Sequence, residues 1–230
     1  MVTARKTVVN RLNGSKKKQE EVITIHPIEL GLIKIRLEGK ASYMSSAFTD
    51  EKIQVIMDKA SGAASSIKGQ KKLRDFAQEF KETMYVMPNK KWNENALKKP
   101  NGTFCFKSRA IEQAFVSSCR HISTKKMSEH KGVINITQEF IPFTKYKNIT
   151  RRFQGVPCGG NKGGTTVCVY AEIIDWECEL SLEYNKNRMG AEEIINMLDL
   201  AGFHVGIGSR RPENGGRFGT FRVIPLAMKK

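Results

Sequence analysis

Alternating apolar and charged residues mark the first predicted strand, within residues 22–39. Ile33, Ile35 and Leu37 stand at every second position with charged residues between them, as in a strand that buries one face. Further strand patterns follow at residues 104–106, 133–140, near Phe143, at 167–173 and at 178–184. The apolar positions change from odd to even numbers between the last two segments, so a bulge or two separate strands are expected there.

Apolar residues at helical spacing predict four helices, which begin near Thr49, Leu73, Ser108 and Ala191. The clearest of them covers residues 191–201, because its apolar side chains share one face. Gly202 follows directly, at the position where a left-handed C-terminal cap is expected.

Polar stretches rich in glycine, proline and lysine separate these elements. Residues 1–22 predict a flexible basic arm, followed by a single domain over residues 23–230. Inserted loops are predicted near residues 60–103 and at residues 151–165, where the sequence reads RRFQGVPCGGNKGGT. The order of the elements favours an α+β fold with a ferredoxin-like, RRM-like core, in which an antiparallel sheet carries helices on one face.

The charge balance points to a polyanionic partner. The chain has 39 Lys and Arg residues against 23 Asp and Glu residues, which gives a formal net charge of +16. A field of this sign attracts phosphates and favours binding that releases their counterions. Among such partners, nucleic acid is favoured over an anionic membrane surface or an acidic protein.

The cysteines and the hydropathy profile bear on the compartment. The five cysteines include no CxxC pair, which argues against a disulfide scaffold and a zinc ribbon and favours a reducing cytoplasm. The first residues, MVTARKTVVNRLNG, lack the apolar stretch of a signal peptide, and no apolar run of membrane-spanning length occurs. We therefore expect a cytoplasmic protein with no membrane partner.

The most specific pattern is GIGSRRPENGGRFGTFRV at residues 206–223, predicted to join the last helix to the last strand. Its five glycines allow sharp turns and close approach of another chain, and its four arginines supply forked donors that match phosphate geometry. Together they favour a grip on a sugar–phosphate backbone; glycines that serve only the turns and solvated arginines are the alternative. The residues assigned to the grip are Gly206, Gly208, Arg210, Arg211, Gly215, Gly216 and Arg217.

With the helix before it, this segment resembles the glycine-rich loop of the RAMP superfamily, RRM-like proteins that form CRISPR backbone subunits and guide-processing endonucleases. Residues 104–120, FCFKSRAIEQAFVSSCR, are similar to the strand-then-helix segment early in that family's core. The resemblance covers residues 30–225, and the overall pattern is also similar to RAMP-like proteins that bacteriophages encode near recombination genes. Pro212 and Glu213 depart from the small, basic loops of the family.

The resemblance implies an RRM-like fold, a nucleic-acid groove and an assembly. Arg210, Arg211, Arg217, Lys107 and Arg109 would line the groove. Copies would stack along a strand as a homo-oligomer, and the segment 151–165 would protrude between nucleotides, with Arg151, Arg152, Phe153 and Lys162 in contact with them. The expected partner is single-stranded RNA or DNA in a bacterial or phage-infected cell.

Aromatic residues are candidates for stacking on bases, namely Phe153, Phe218, Phe221 and Tyr43. Phe221 alternates with Val223, a pattern more typical of a core. Phe153 has no such strand pattern, so stacking and core packing both stay open for it.

Residues that could support catalysis are few. The four histidines share no metal-ligand spacing with one another or with the cysteines, and we expect surface or packing roles for them. By analogy with the RAMP family, Asp50 or His121 could act in RNA cleavage, although a position in the first turn of a helix explains an acid at residue 50. No P-loop motif occurs either. We therefore predict a non-catalytic protein without cofactor or metal; a RAMP-like endoribonuclease and a basic structural protein of a ribonucleoprotein are the alternatives.

Overall fold

The computed structural model describes residues 6–7, 23–24, 27–48, 50–61, 74–122, 126–158 and 164–226. Its strands are β1 (Lys6–Thr7), β2 (Ile23–Thr24), β3 (Leu30–Gly39), β4 (Tyr43–Ser45), β5 (Tyr85–Val86), β6 (Phe104–Lys107), β7 (Ile134–Asn135), β8 (Phe140–Lys145), β9 (Asn148–Cys158), β10 (Gly164–Ile174), β11 (Glu177–Asn185) and β12 (Phe221–Pro225). Its α-helices are α1 (Asp50–Ala60), α2 (Phe76–Lys81), α3 (Arg109–Ser118), α4 (Met127–His130) and α5 (Ala191–His204). Short 3₁₀ helices cover Glu94–Leu97, Cys119–His121 and Pro212–Asn214.

Four strands and two helices form a ferredoxin-like core, which confirms the predicted α+β class. Along the chain the order is β3, α3, β8, β11, α5 and β12, and across the sheet the order is β12-β3-β11-β8 with antiparallel neighbours. This is the βαββαβ arrangement, in which the third strand lies between the first and the second. β6 and β5 extend the sheet beyond β8.

The alternation within β3 shows which face of the sheet is covered. Ile33, Ile35 and Leu37 are buried, as predicted, while the residues between them are exposed or half-buried. The buried residues belong to one hydrophobic core together with Ile111 of α3 and Ile194 of α5, both fully buried. α3 and α5 therefore cover this face, and the other face of the central strands is open.

The core carries two insertions. The first lies between β3 and α3 and contains β4, α1, α2, β5 and β6. The second lies between β8 and β11 and is the antiparallel hairpin of β9 and β10. This hairpin pairs with β4 in a separate three-stranded sheet of order β4-β10-β9, so β9 is an edge strand of that sheet.

The predicted loop at residues 151–165 is wrong over most of its length. Residues 151–158 belong to β9, which pairs with β10 in continuous register from Asn148↔Ile174 to Cys158↔Gly164. The glycines and the basic residues suggested a loop, but long-range pairing with a β-branched partner strand decides the structure here. Residues 159–163, including Lys162, lie outside the described part of the chain.

Gly202 is not the helix cap that its position suggested. It lies inside α5, and a Cβ there would stand 2.1 Å from the carbonyl oxygen of Phe221. Its missing side chain lets α5 pack closely on β12, and the left-handed residue after the helix is Gly206, with φ of +69°.

Other boundaries also differ from those predicted. The strand predicted over residues 22–39 is divided into β2, which covers only Ile23–Thr24, and β3, which begins at Leu30. β8 is longer than β7, the reverse of the expected lengths. The change of parity near residue 175 marks two strands, β10 and β11, separated by a turn at Asp175 with φ of +52°. Within the loop region predicted near residues 60–103, residues 86–103 are partly packed on the core, since Ala96 is buried and the Trp92 ring packs on Phe104. Apart from β1, the predicted arm lies outside the described residues, as do residues 62–73.

Candidate nucleic-acid interface

The loop between α5 and β12, residues 205–220, is held in one conformation by its backbone. Ser209 N–H donates to the carbonyl of Met44, and Gly219 N–H donates to the carbonyl of Ser42, each at 2.8 Å. Arg210 has φ of +57°, which is uncommon for a residue with a side chain, and its carbonyl accepts from Phe218 N–H at 3.1 Å. The glycine-rich loop is thus anchored to the segment around β4 and to itself.

The glycines of this loop serve mainly the loop itself. A Cβ at Gly216 would stand 1.8 Å from the carbonyl oxygen of Arg210, and one at Gly208 would stand 2.7 Å from that of Met44. A Cβ at Gly206 would similarly stand 2.9 Å from Pro212. Nothing lies within 4 Å of the Cβ position at Gly215, which faces open space. Of these four glycines assigned to the grip, only Gly215 leaves open space that the backbone of a ligand could enter.

Arg211 and Glu213 form an ion pair within the loop. Nε and Nη2 of Arg211 donate to Glu213 Oε2 at 3.0 and 2.6 Å, and Nη1 donates to the carbonyl of Gly208 at 3.2 Å. Arg120, just after α3, reaches the other carboxylate oxygen at 3.4 Å. Glu213 therefore fixes the loop to α3 and the turn after it, and Arg211 is occupied by the protein.

The environment of Glu213 favours its charged form. Burial by itself raises the pKa of this carboxyl, but hydrogen bonds from Arg211 and Ser117 and the charges of Arg211 and Arg120 outweigh burial. The pKa of Glu213 is consequently lowered from its usual value.

A first cleft, the helix cleft, lies between the glycine-rich loop and the first turns of α3. It has a volume of about 370 Å³. Its polar wall residues include Arg109 and Gln113 from α3 and Arg211 from the loop. The structure thus brings together the two segments that carried the family resemblance, although they are about a hundred residues apart in the chain.

A second cleft, the hairpin cleft, lies between the same loop and β9. It has a volume of about 610 Å³ and is lined by Arg152, Gln154, Arg210, Asn214, Gly215, Gly216, Arg217 and Phe218. The Arg152 guanidinium lies over the Phe218 ring at 4.9 Å, and its Nη1 donates to Glu172 Oε2 of β10 at 2.8 Å. Consecutive loop residues, Arg210 and Arg211, therefore line different clefts.

Three arginines at these clefts lack an acidic partner within the described residues. Arg109 lines the helix cleft, and Arg210 and Arg217 line the hairpin cleft. The other two, Arg211 and Arg152, are paired with Glu213 and Glu172. The unpaired guanidinium groups can offer forked donors to an anion without first breaking an ion pair.

The remaining predicted contact residues lie away from the clefts. Lys107 is exposed at the end of β6, 4.0 Å from Glu139 and 5.4 Å from the centre of the Tyr85 ring. Arg151 and Phe153 point to the face of the hairpin opposite Arg152, because side chains alternate along β9. Gln113 and Gln154 line the clefts and were missed; Gln113 could have been found, since it lies one helical turn after Arg109.

The aromatic residues predicted to stack on bases differ in their burial. Tyr43 is buried against Phe106, Phe143 and Trp176, so its proposed stacking role is wrong. Burial also raises the pKa of its hydroxyl. Phe221 is buried, which confirms the core interpretation. Phe153 is 50% exposed and is therefore no core residue.

The open face of the sheet offers no stacking platform on its central strands. On this face β3 and β11 present Leu30, Leu32, Lys34, Arg36, Glu38, Glu177, Glu179, Ser181, Glu183 and Asn185. Arg36 donates twice to Glu179 Oε1, at 2.9 and 2.7 Å, and Lys145 pairs with Glu177. RRM domains stack bases on aromatic rings at such positions, so the central strands do not offer this mode of binding. Nearer the edge of the sheet, the same face carries the half-buried rings of Tyr85 and Phe140, with Lys107 Nζ at 5.4 and 5.9 Å from their centres.

The catalytic candidates do not meet at either cleft. The His121 ring stacks on His204, with centres 4.4 Å apart and planes 17° apart, and lines neither cleft. His130 is buried and its Nδ1 contacts the carbonyl of Lys126 at 2.9 Å. The side chain of Asp50, and all of His26, lie outside the described part. Within the described part we find no group of three metal-ligating side chains and no helix long and apolar enough to cross a bilayer.

No protein-family model matches the chain, and the search of curated proteins finds no match. Among solved structures, the chain is similar to one in the "Type III-B Cmr-beta bound to cognate target RNA", with 10% identity, a TM-score of 0.48 and coverage of 85% of this chain and 59% of that chain. It is also similar to Cmr6 from Pyrococcus furiosus, with 10% identity, a TM-score of 0.36 and coverage of 85% of this chain and 99% of that chain. The chain thus spans less than two thirds of the first of these chains.

Proposed function

We propose that the protein binds single-stranded nucleic acid by its sugar–phosphate backbone and catalyses no reaction. The observation that carries the proposal is the set of three unpaired arginines, Arg109, Arg210 and Arg217, around an anchored glycine-rich loop. Guanidinium groups held on a fixed backbone suit phosphate oxygens, whose positions repeat along any strand. The net charge of +16 supplies the long-range attraction.

The arrangement of the clefts favours a single strand over a duplex. Arg210 and Arg211 follow each other in the chain and line different clefts, so a ligand that occupies both must turn around the loop. A DNA duplex is stiff over such distances, whereas a single strand bends freely. The central strands of the open sheet face, with their paired charges, add no second platform for a strand.

Within this class we propose a strand-coating role. The protein would act as a CRISPR-type backbone subunit on guide RNA, or as a phage single-strand binding or annealing protein on DNA, and several copies would line up on one strand. The RAMP resemblance of the glycine-rich loop supports the former, and the projecting hairpin β9–β10 supports contacts beyond one copy. Free thiols at Cys105, Cys119, Cys168 and Cys178 fit a reducing cytoplasm as its place of action.

Binding assays with labelled strands test the class of ligand. We expect fluorescence anisotropy to show tight binding of single-stranded RNA or DNA and weaker binding of a duplex of the same length. Comparison of oligo(U) with oligo(dT) then tells RNA from DNA. Preference for the duplex, or no binding at low salt, would refute the proposal.

The same strands test for catalysis. We expect intact RNA after incubation with and without Mg²⁺, because the described histidines and acids do not converge at either cleft. Asp50→Ala and His121→Ala should leave binding unchanged. Reproducible cleavage that either substitution abolishes would instead place the protein among endoribonucleases.

A further inference from the structure

Two exposed phenylalanines meet on the face of the hairpin that points away from the glycine-rich loop. The rings of Phe76, from α2, and Phe153, from β9, stand edge to face, with centres 5.5 Å apart and planes 87° apart. They are 37% and 50% exposed. The Arg74 guanidinium lies 5.0 Å from the centre of the Phe76 ring, and the Arg151 guanidinium lies 5.3 Å from that of Phe153. We call these four residues the aromatic patch.

The patch is positioned by contacts that involve neither ring. The Asp75 carboxylate caps α2, accepting from the backbone N–H groups of Ala77 and Gln78 at 2.8 and 3.2 Å. Glu79 holds Arg74 through two hydrogen bonds at 2.7 and 2.6 Å. Phe153 is fixed by the register of β9, where it pairs with Val169. The rings are therefore presented in a defined arrangement although much of their surface faces solvent.

We infer that the aromatic patch is a nucleobase-stacking site for the strand that the glycine-rich loop holds, an inference that rests on the proposed function. An exposed aromatic face binds any base, and the Arg151 guanidinium beside it can hold a neighbouring phosphate, whereas Arg74 is held by Glu79. Val167, 41% exposed, lies next to Phe153 across the hairpin and widens the apolar surface. Arg151 has no acidic partner within the described residues, so its positive charge beside the ring favours a polyanion as the occupant of the patch.

The topology provides a route between loop and patch. Arg152 faces the hairpin cleft and its neighbour Phe153 faces the patch, so the two sites are separated only by the thickness of β9. β9 is an edge strand of its sheet. A single strand gripped at Arg210 and Arg217 can therefore cross the edge of β9 and place its next bases on Phe153 and Phe76.

Substitution by leucine separates stacking from burial, because leucine keeps the apolar surface and removes the ring. Phe76→Leu and Phe153→Leu should each weaken binding of oligo(U) or oligo(dT) about 5- to 100-fold, as expected for one stacked base. Binding of an abasic strand of equal length should not change, because its phosphates remain. Phe203→Leu is the matched control, since Phe203 is 72% exposed on α5, away from the hairpin; it should bind both strands like the wild type.

Each other outcome overturns the inference. Unchanged oligo(U) and oligo(dT) affinity, or an equal loss on the abasic strand, would show that no base stacks on the patch. Loss of self-association without nucleic acid, measured by light scattering, would identify the patch as a contact between copies. If the wild type binds no strand at all, the proposed function fails as well. If the wild type binds and the leucine variants bind with the same affinity, the proposed backbone grip is retained and only the stacking site is refuted.

Discussion

The Arg152 guanidinium lies over the Phe218 ring, 4.9 Å from its centre, and so joins the hairpin to the glycine-rich loop. The same guanidinium is held by Glu172 on the neighbouring strand β10 at 2.8 Å. A cation between an aromatic face and a carboxylate is fixed from two sides. The hairpin cleft therefore has walls from two distant segments whose relative position is set before any ligand binds.

The unpaired arginines of the hairpin cleft should carry the salt dependence of binding. Arg210→Ala with Arg217→Ala is expected to weaken binding of all sequences to a similar extent and to lower the slope of log affinity against log salt by about 1–2. The reason is that backbone contacts release counterions but read no bases. Anisotropy titrations over a series of salt concentrations measure the slope.

The matched control removes the same charge elsewhere. Lys34 and Arg222 lie on the open sheet face, where we propose no contact. Lys34→Ala with Arg222→Ala should leave the slope close to that of the wild type. An equal change in both double variants would mean that net charge, rather than the loop, determines binding.

Arg211 should behave differently from Arg210, although the sequence assigned both to the phosphate grip. Arg211→Ala removes three hydrogen bonds and leaves the Glu213 carboxylate without its main partner, so we expect a loss of about 1–3 kcal/mol in the free energy of unfolding. Arg217→Ala, at an exposed position, should change this free energy by less than about 0.5 kcal/mol. Urea denaturation measures both; equal stability of the two variants would contradict the ion pair's role.

The lowered pKa of Glu213 predicts a loss of stability in acid. A carboxyl whose pKa is lower in the folded state stabilises the fold fully above its ordinary pKa of 4.5, and the contribution disappears as pH falls through the lower folded-state value. The wild type should thus be more stable than Glu213→Gln at neutral pH and should lose this advantage progressively as the pH falls below 4.5. A difference that does not change with pH would show that charge is not the cause.

The buried residues of the core were predictable because apolar residues recur with the period of a strand or of a helix. Ile33, Ile35 and Leu37 alternate, and the stripe of α5 has helical spacing, so local sequence determines which faces are buried. The hairpin was not predictable in the same way. Residues 151–158 begin with two arginines and contain Gly155 and Pro157, and they form a strand because β10 supplies a partner that is close in space.

At the candidate site, too, the local sequence identified residues, whereas contacts between residues could not be predicted from it. The segment 206–223 was identified from residue types that suit phosphate and Arg109 from the family resemblance, and the structure places them around shared clefts. The pairing of Arg211 with Glu213 was missed, because arginines in a sequence look alike whether they are free or occupied. The contact of Phe76 with Phe153 was missed as well, because the two residues are 77 positions apart in the chain.

The final prediction concerns assembly, and the register of the hairpin allows a clean test. Gly155 and Val167 are directly paired, so residues 156–166 can be replaced by Asn-Gly, which closes β9 and β10 with a two-residue turn. Residues 151–154 stay in place, and with them the hairpin cleft and the patch. If the hairpin tip contacts the next copy, the shortened protein should keep its affinity for short strands and lose cooperativity on long ones.

Negative-stain microscopy and light scattering on long strands decide the matter. A protein that coats a strand shows cooperative binding, so the wild type should form regular filaments whose stoichiometry rises in steps with strand length. The shortened hairpin should yield scattered single copies, and removal of residues 1–22 tests in parallel whether the basic arm adds a second contact. Strands of about 60 nucleotides are many times longer than the site size of a single binding module. If the wild type remains a monomer bound one-to-one on such strands, the assembly proposal is refuted, because neither the hairpin tip nor the arm then reaches a neighbouring copy. The proposed grip of the glycine-rich loop on the strand would not be affected by that result.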